Sequence, residues 1–329
     1  VTKDRKTVSL VLGSGGARGL AHIGVIHWLL ENGYEIKSIS GSSMGALVGG
    51  IYAAGKLDTY IEWVRSITKM DIVALLDLSW GKGGLVKGDR IINTLVDLVG
   101  DQRIEDLPVS YTAVATDIQG EKEIWINKGK LFDAIRASMS LPLFFTPFEF
   151  NGTLLIDGGV LNPVPIAPTF GDNTDLTIAV SLGGPPADID DQSEKQEEAE
   201  QENAKQEEAE QRDSNIHRNI SRFIKKLQQS ATLENSQQGE SSIQQNINRF
   251  IKSLQQSVKS NGKKDWDVYD VAVQAFEAMQ STIGRQKLAA YPPDLTIEIA
   301  RNACRTLEFD RADEMIKLGY NKAKQAGLS

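Results

Sequence analysis

Two short apolar runs near the start of the chain each break into a glycine-rich turn and then into a helical pattern, and this repeated unit constrains the fold more than any other feature. Val8 to Leu12 is apolar with β-branched content and leads into Gly13-Ser14-Gly15-Gly16-Ala17-Arg18-Gly19. A helix is expected from there to about Asn32, with Gly33 as its C-terminal stop. Ile36 to Ser40 is the second short strand; it leads into Gly41-Ser42-Ser43-Met44-Gly45 and an apolar helix that ends near Gly55. Strands alternating with helices predict a mostly parallel sheet covered on both faces, with its ligand site at the carboxyl ends of the strands. Both glycine-rich turns then lie at the same edge.

Downstream, Val109 to Thr116 and Glu123 to Ile126 read as strands joined through Gln119-Gly120, and Lys130 to Met139 as a helix that Pro142 ends. Phe148 to Phe150 and Thr153 to Ile156 flank Asn151-Gly152, a strong hairpin signal, and Asp157-Gly158-Gly159 follows at once. Leu176 to Ser181 is a further buried strand. After a change of composition, Trp266 to Ile283 reads as a helix, Pro292-Pro293 as a break, Leu295 to Ile299 as a strand and Phe309 to Ala326 as a final helix.

The change of composition marks an insert. A low-complexity acidic tract repeats Lys-Gln-Glu-Glu-Ala-Glu-Gln at 195–201 and 205–211. Two similar segments follow at 219–230 and 246–257. Ile216, Ile220, Phe223, Ile224 and Leu227 keep helical spacing in the first, as do Ile243, Ile247, Phe250, Ile251 and Leu254 in the second. The expected organisation is one discontinuous catalytic domain, 5–184 with 265–329, interrupted by the helical insert 185–264. The insert also accounts for the charge. The chain carries 44 acids and 36 bases, a net of -8, and Ala187 to Arg212 alone holds eleven acids against three bases, so the rest is neutral.

At 329 residues the chain can build a core without disulfides or metals. Its single cysteine, Cys304, excludes an internal disulfide and a cysteine-based zinc site, and points to a reducing, cytoplasmic compartment. A neutral body with an acidic insert does not suit a nucleic-acid binder. The longest apolar stretch, Met44 to Ala54, falls short of the roughly 20 residues of a spanning helix, and the opening Val-Thr-Lys-Asp-Arg-Lys lacks the apolar middle of a secretory signal. Around 216–258 Arg218, Arg222, Lys225, Lys226, Arg249 and Lys252 flank the apolar stripes. That pattern suits either peripheral contact with an anionic bilayer or a helical pair that packs on itself, the body or another subunit.

Gly41-Ser42-Ser43-Met44-Gly45 is a G-x-S-x-G sequence between a short strand and a helix, the setting in which the central serine becomes a nucleophile. A serine nucleophile needs a base. His22 and His27 lie within the first helix and read as packing or hydrogen-bonding residues; His217 lies in the insert. No histidine follows the later strands where a triad would place it. The remaining candidate base is Asp157, beside two glycines, whose plainer reading is a turn. Next to a serine that lacks a base, the reading as a Ser43–Asp157 dyad is the better one. Gly15, Gly16 and Ala17 then offer amides for an oxyanion, and Arg18 either braces that loop or meets an anionic group. A dinucleotide fingerprint fits less well, because the spacing is G-x-G-x-x-x-G and no acid ends the second strand. Met70 to Arg90 contains Trp80-Gly81-Lys82-Gly83-Gly84-Leu85, which reads either as a lid beside an acyl pocket or as a long surface loop.

In this order and with these neighbours, the motifs resemble the patatin-like phospholipases, particularly bacterial members similar to the neuropathy target esterase catalytic domain. The matching stretches are Leu12 to Gly24, Ser40 to Gly55, Ala137 to Pro147 and Leu155 to Pro165, and more loosely Tyr291 to Cys304. The resemblance implies a three-layer α/β/α sandwich. It also implies hydrolysis of phospholipid or lysophospholipid acyl esters through an acyl-enzyme, with no cofactor, metal or calcium. By position Ser43 is the nucleophile, Asp157 the base, and Gly15, Gly16 and Ala17 the oxyanion loop. One departure stands out: the family's loop often starts with three glycines, and Ser14 occupies the first of those places. The alternatives at this stage are a non-catalytic lipid-binding or scaffold protein on the same fold, and an acyltransferase.

Overall fold

The computed structural model describes residues 5–75, 88–187 and 268–327. The chain divides into two compact units, one formed by Val1–Ala187 with Gln274–Ser329 and the other by Asp188–Val273. The acidic tract, the two amphipathic repeats and the Trp80–Leu85 segment all lie outside the described residues.

The first unit is an eight-stranded sheet flanked by helices. Thr7–Leu12 (β1) is followed by a 3-10 turn and Ala21–Glu31 (α1), then Glu35–Ser42 (β2) and Met44–Ala53 (α2). Leu57–Arg65 (α3), Lys69–Leu75 (α4) and Asp89–Val99 (α5) precede Ser110–Asp117 (β3), Lys122–Ile126 (β4) and Leu131–Ser138 (α6). Phe148–Phe150 (β5), Thr153–Asp157 (β6) and Leu176–Gly184 (β7) follow, and then Val268–Ala290 (α7), Leu295–Ala300 (β8) and Ala312–Gln325 (α8). Helix α7 runs beyond the expected Ile283 because Gly284 does not stop it; that glycine packs on Pro163 and Val164, and Pro292-Pro293 ends the helical run.

The sheet is mixed. The path β3–β2–β1–β7–β8 is parallel throughout, as the alternation of strands and helices requires. The antiparallel part comes from the two hairpins: β4 and β6 each run antiparallel to β3, and β5 to β6. Asn151 and Gly152 both have positive φ, 51° and 78°, the turn that matches strand twist in a two-residue hairpin.

Register along β3 places the functional residues. A strand has two edges, and β4 fills one of them from Ala113 to Asp117. The other edge is therefore shared: β2 pairs with it up to Ser42 opposite Val114, and β6 arrives from the opposite direction, ending with Asp157 opposite Ala115. Two strand ends thus meet head to head at adjacent positions of one strand.

The central strands are sheathed on both faces. Leu10, Leu12 and Ile39 are almost wholly removed from solvent, and each contributes roughly 1.5–3 kcal/mol of apolar burial. Helix α1 crosses α8 at contact distance, since a Cβ on Gly24 would overlap the Ile316 carbonyl oxygen and one on Gly319 that of Ala21. This crossing anchors the C-terminal helix against the first glycine-turn unit.

Candidate active site

The turn that carries Ser43 begins where β2 ends. Ser43 sits at φ 55° and ψ -119°, a conformation that non-glycine residues rarely adopt and that costs about 1–3 kcal/mol. It caps the N-terminus of α2, so the positive end of the helix dipole lies under it. The turn fits only because Gly45 has no side chain: a Cβ there would overlap the Leu12 carbonyl at the end of β1. The Ser43 amide donates to Ser138 Oγ at 2.9 Å, and that hydroxyl donates to the Val114 carbonyl at 2.6 Å. Ser138 is wholly buried at the C-terminal end of α6. It ties the nucleophile to the very position of β3 where the two strand ends meet.

Ser43 Oγ donates to Asp157 Oδ2 at 2.6 Å. The other carboxylate oxygen accepts the Gly159 amide at 2.7 Å, and the Asp157 amide donates to the Ser140 carbonyl at 3.0 Å. Asp157 has no solvent exposure, and this burial pushes its carboxyl up to about 7 against the opposing pull of the Ser43 and Gly159 donors. A carboxyl held near neutrality can take and return a proton at physiological pH. His22 is elsewhere engaged: its Nε2 lies 2.8 Å from the Gly13 carbonyl, and burial pulls its imidazole down to about 4, so it is neutral and supports the start of the glycine loop. His27 lies further along α1, and His217 falls outside the described residues.

The first glycine loop runs from the end of β1 into a 3-10 turn, Gly16–Leu20. Its amides differ in what they bind. Gly13 donates to the Val180 carbonyl, Ser14 to that of Pro163 and Ala17 to that of Thr306 at 2.9 Å. Among the described residues Gly15 and Gly16 make no such bond, whereas the Ala17 amide is committed to the Thr306 carbonyl. Arg18 braces the loop. Its Nε donates to the Gly15 carbonyl at 3.1 Å, Nη1 to the Arg301 carbonyl at 2.6 Å and Nη2 to Glu277 Oε1 at 3.0 Å. Thr306 Oγ1 donates to the same Glu277 oxygen at 2.7 Å.

No sequence pattern marks Ser138, Glu277 or Thr306. Ser138 lies within the stretch that carries the family resemblance, but nothing in its local pattern says that it would meet a turn 95 residues away. Glu277 looks like one more polar position on an amphipathic helix. Among the described residues no group of three or more His, Cys, Asp or Glu side chains could hold a metal ion, and no helix is long and apolar enough to cross a membrane.

Residues 10–170 match the patatin-like phospholipase family. The sequence is 42% identical to an uncharacterized NTE family protein of Mycobacterium tuberculosis, over 97% of this chain and 91% of that one. It is 33% identical to lysophospholipase NTE1 of Saccharomyces cerevisiae, over 54% of this chain and 11% of the relative. With neuropathy target esterase sws of Drosophila melanogaster it shares 34% identity, over 54% of this chain and 13% of the relative. The chain belongs to the NTE family of patatin-like proteins, a family of lipid ester hydrolases. The relatives whose names state an activity are far longer, and the likeness to them is confined to a small part of their length.

Proposed function

We propose that the protein hydrolyses acyl esters of phospholipids or lysophospholipids through an acyl-enzyme on Ser43, with Asp157 as its only base. The observation that carries this reading is the 2.6 Å hydrogen bond from Ser43 Oγ to Asp157 Oδ2, made between two buried groups at a strained turn. The family's lipid-directed names supply the substrate class.

In this reading Asp157, as carboxylate, accepts the Ser43 proton while Oγ attacks the ester carbonyl carbon. The carbonyl oxygen becomes an oxyanion, and the amides of Gly15 and Gly16 receive it. Collapse of the tetrahedral intermediate breaks the bond to the glycerol oxygen, and protonated Asp157 returns its proton to that leaving alcohol. Water then enters, Asp157 takes a proton from it while the hydroxide attacks the acyl carbon, and the acyl–Oγ bond breaks as Asp157 returns that proton to Ser43 Oγ, releasing the fatty acid. One carboxyl serves both as base and as acid, the double role a histidine plays in a triad, and a position near neutral pH suits both steps.

A fluorophosphonate probe tests the reading directly. Labelling of the wild type at Ser43, absent in Ser43→Ala, together with fatty acid release from lysophosphatidylcholine, is the expected result. An unlabelled but folded protein would leave the fold as a lipid-binding scaffold, and acyl transfer to an alcohol in place of water would make it a transferase.

A further inference from the structure

A cavity of about 300 Å³ lies beside the oxyanion loop, between that loop, the end of β7 and α7. Neither Ser43 nor Asp157 lines it. Ser14, Arg18, Glu277, Gln280, Arg285 and Arg301 do, giving three guanidinium groups against one carboxylate. That carboxylate is already neutralised, since Glu277 is held by Arg18 and Thr306. Among the described residues Arg285 reaches hydroxyls of its own helix and no carboxylate, Ser281 Oγ at 3.2 Å and Thr282 Oγ1 at 3.1 Å, and its side chain is exposed. Arg301 is exposed too, and its side chain pairs with no carboxylate among the described residues.

Ser14 supplies an independent observation. It is 7% exposed, yet its Oγ is buried with no hydrogen-bond partner among the described residues, and a buried hydroxyl left in that state costs about 1–3 kcal/mol. This is the residue that replaces the first of the family's three loop glycines. A glycine there would leave no hydroxyl. Ser14 is also close to the chemistry at both ends: it precedes Gly15 directly, and a Cβ on Gly159 would overlap both Ser14 Oγ and the Gln280 amide nitrogen.

We propose that this cavity binds the phosphate of the lipid head, with Arg285 and Arg301 as its cations and Ser14 Oγ as a hydroxyl donor. The proposal rests on the hydrolase reading of Ser43 and Asp157. In a lysophospholipid the phosphate lies only a few bonds from the ester carbonyl. A carbonyl at the Gly15 and Gly16 amides therefore carries its phosphate toward the neighbouring residue, Ser14. Two guanidinium groups and a hydroxyl match the charge and the acceptor geometry of a phosphate ester. Gln280 offers an amide donor between the cavity and Gly159.

The test compares a lysophospholipid with a monoacylglycerol of the same acyl chain, which carries no phosphate. In the double variant Arg285→Gln with Arg301→Gln, the ratio of kcat/KM for the phosphate-bearing over the phosphate-free ester falls by about tenfold or more, through KM. Ser14→Gly lowers the same ratio severalfold. Both arginines are exposed, so the double variant folds, and an unchanged ratio in it overturns the proposal. Equilibrium dialysis of glycerophosphate and of inorganic phosphate against Ser43→Ala needs no turnover. Glycerophosphate binding that the double variant loses supports the cavity even if neither ester is cleaved, a result that would sink only the hydrolase reading. Binding of inorganic phosphate alone, with an unchanged substrate ratio, would make this a free-phosphate site and overturn the assignment to a lipid head.

Discussion

The two glycine-rich turns are neighbours at the carboxyl ends of β1 and β2, yet they are held by opposite means. The Gly41–Gly45 turn is fixed from inside the sheet: Gly45 lies against the Leu12 carbonyl, and Ser138 clips the Ser43 amide to β3. Its partner Asp157 is set by the register of β6 on that same strand. The Gly13–Gly19 loop is held at its start by His22 and by the Val180 and Pro163 carbonyls, but from Ala17 onward by residues that enter much later in the chain, through Arg18 to Glu277 and Arg301 and through Ala17 to Thr306. The position of Ser43 is thus a property of the sheet core, while the Ala17–Arg18 part of the first glycine loop depends on the C-terminal segment. Positioning of the two can be perturbed separately, which gives a way to tell them apart.

The largest effect belongs to the dyad. Asp157→Asn and Ser43→Ala each lower kcat by about 10⁴-fold or more in folded protein, measured as fatty acid release. Near wild-type turnover by Asp157→Asn would remove the carboxylate from the mechanism. The next effect separates the two turns. Glu277→Ala strips Arg18 of its carboxylate and Thr306 of its acceptor, so the loop loses its brace and kcat falls by about 10²-fold, the scale of one lost oxyanion donor. Its circular dichroism should be close to that of the wild type, because the sheet is untouched. A loss equal to that of Asp157→Asn would mean that the turns are not independent.

That contrast also explains what the sequence could and could not reveal. Strand, glycines and serine at 36–45 are contiguous, and each residue type is forced by a local contact, so the nucleophile turn is legible as a string. The Asn151-Gly152 hairpin likewise announces β5 and β6, and with them Asp157. The mixed character of the sheet comes from where β4 and β6 pair on β3, a choice made by long-range register that no local pattern encodes. The commitment of the Ala17 amide to Thr306 was equally hidden. Three small residues in a row look alike as donors until a carbonyl from 289 residues further on takes one of them. Arg18 reads in the sequence as a brace or an anion contact alike, because its partners Glu277 and the Arg301 carbonyl lie 259 and 283 residues away.

Ser138→Ala sharpens the account of the nucleophile side. It removes the acceptor of the Ser43 amide and the donor to the Val114 carbonyl, both buried. A lowered kcat of about tenfold at unchanged KM is expected, since the methyl side chain touches no substrate. Ser138→Thr keeps the hydroxyl and should recover part of the loss. Equal effects of Ala and Thr would reduce Ser138 to a packing residue.

The last effect is read in stability and not in turnover, and it again distinguishes the core dyad from the braced loop. Asp157 in the folded protein is raised from 3.8 to about 7 by burial. Between those values the folded state holds a proton that the unfolded state has released. The stabilising contribution is therefore complete below about pH 4 and is lost as pH rises through about 7, at up to about 1.4 kcal/mol per pH unit. Activity moves the other way, because the base must be ionised: kcat/KM rises with pH through about 7. Asp157→Asn abolishes this component of the stability slope, so urea midpoints of variant and wild type converge at acid pH and separate as the wild type loses its proton. Glu277→Ala leaves the slope in place. If both variants flattened it equally, the proton would not reside on Asp157, and the assignment of a single carboxyl as acid and base would fail with it.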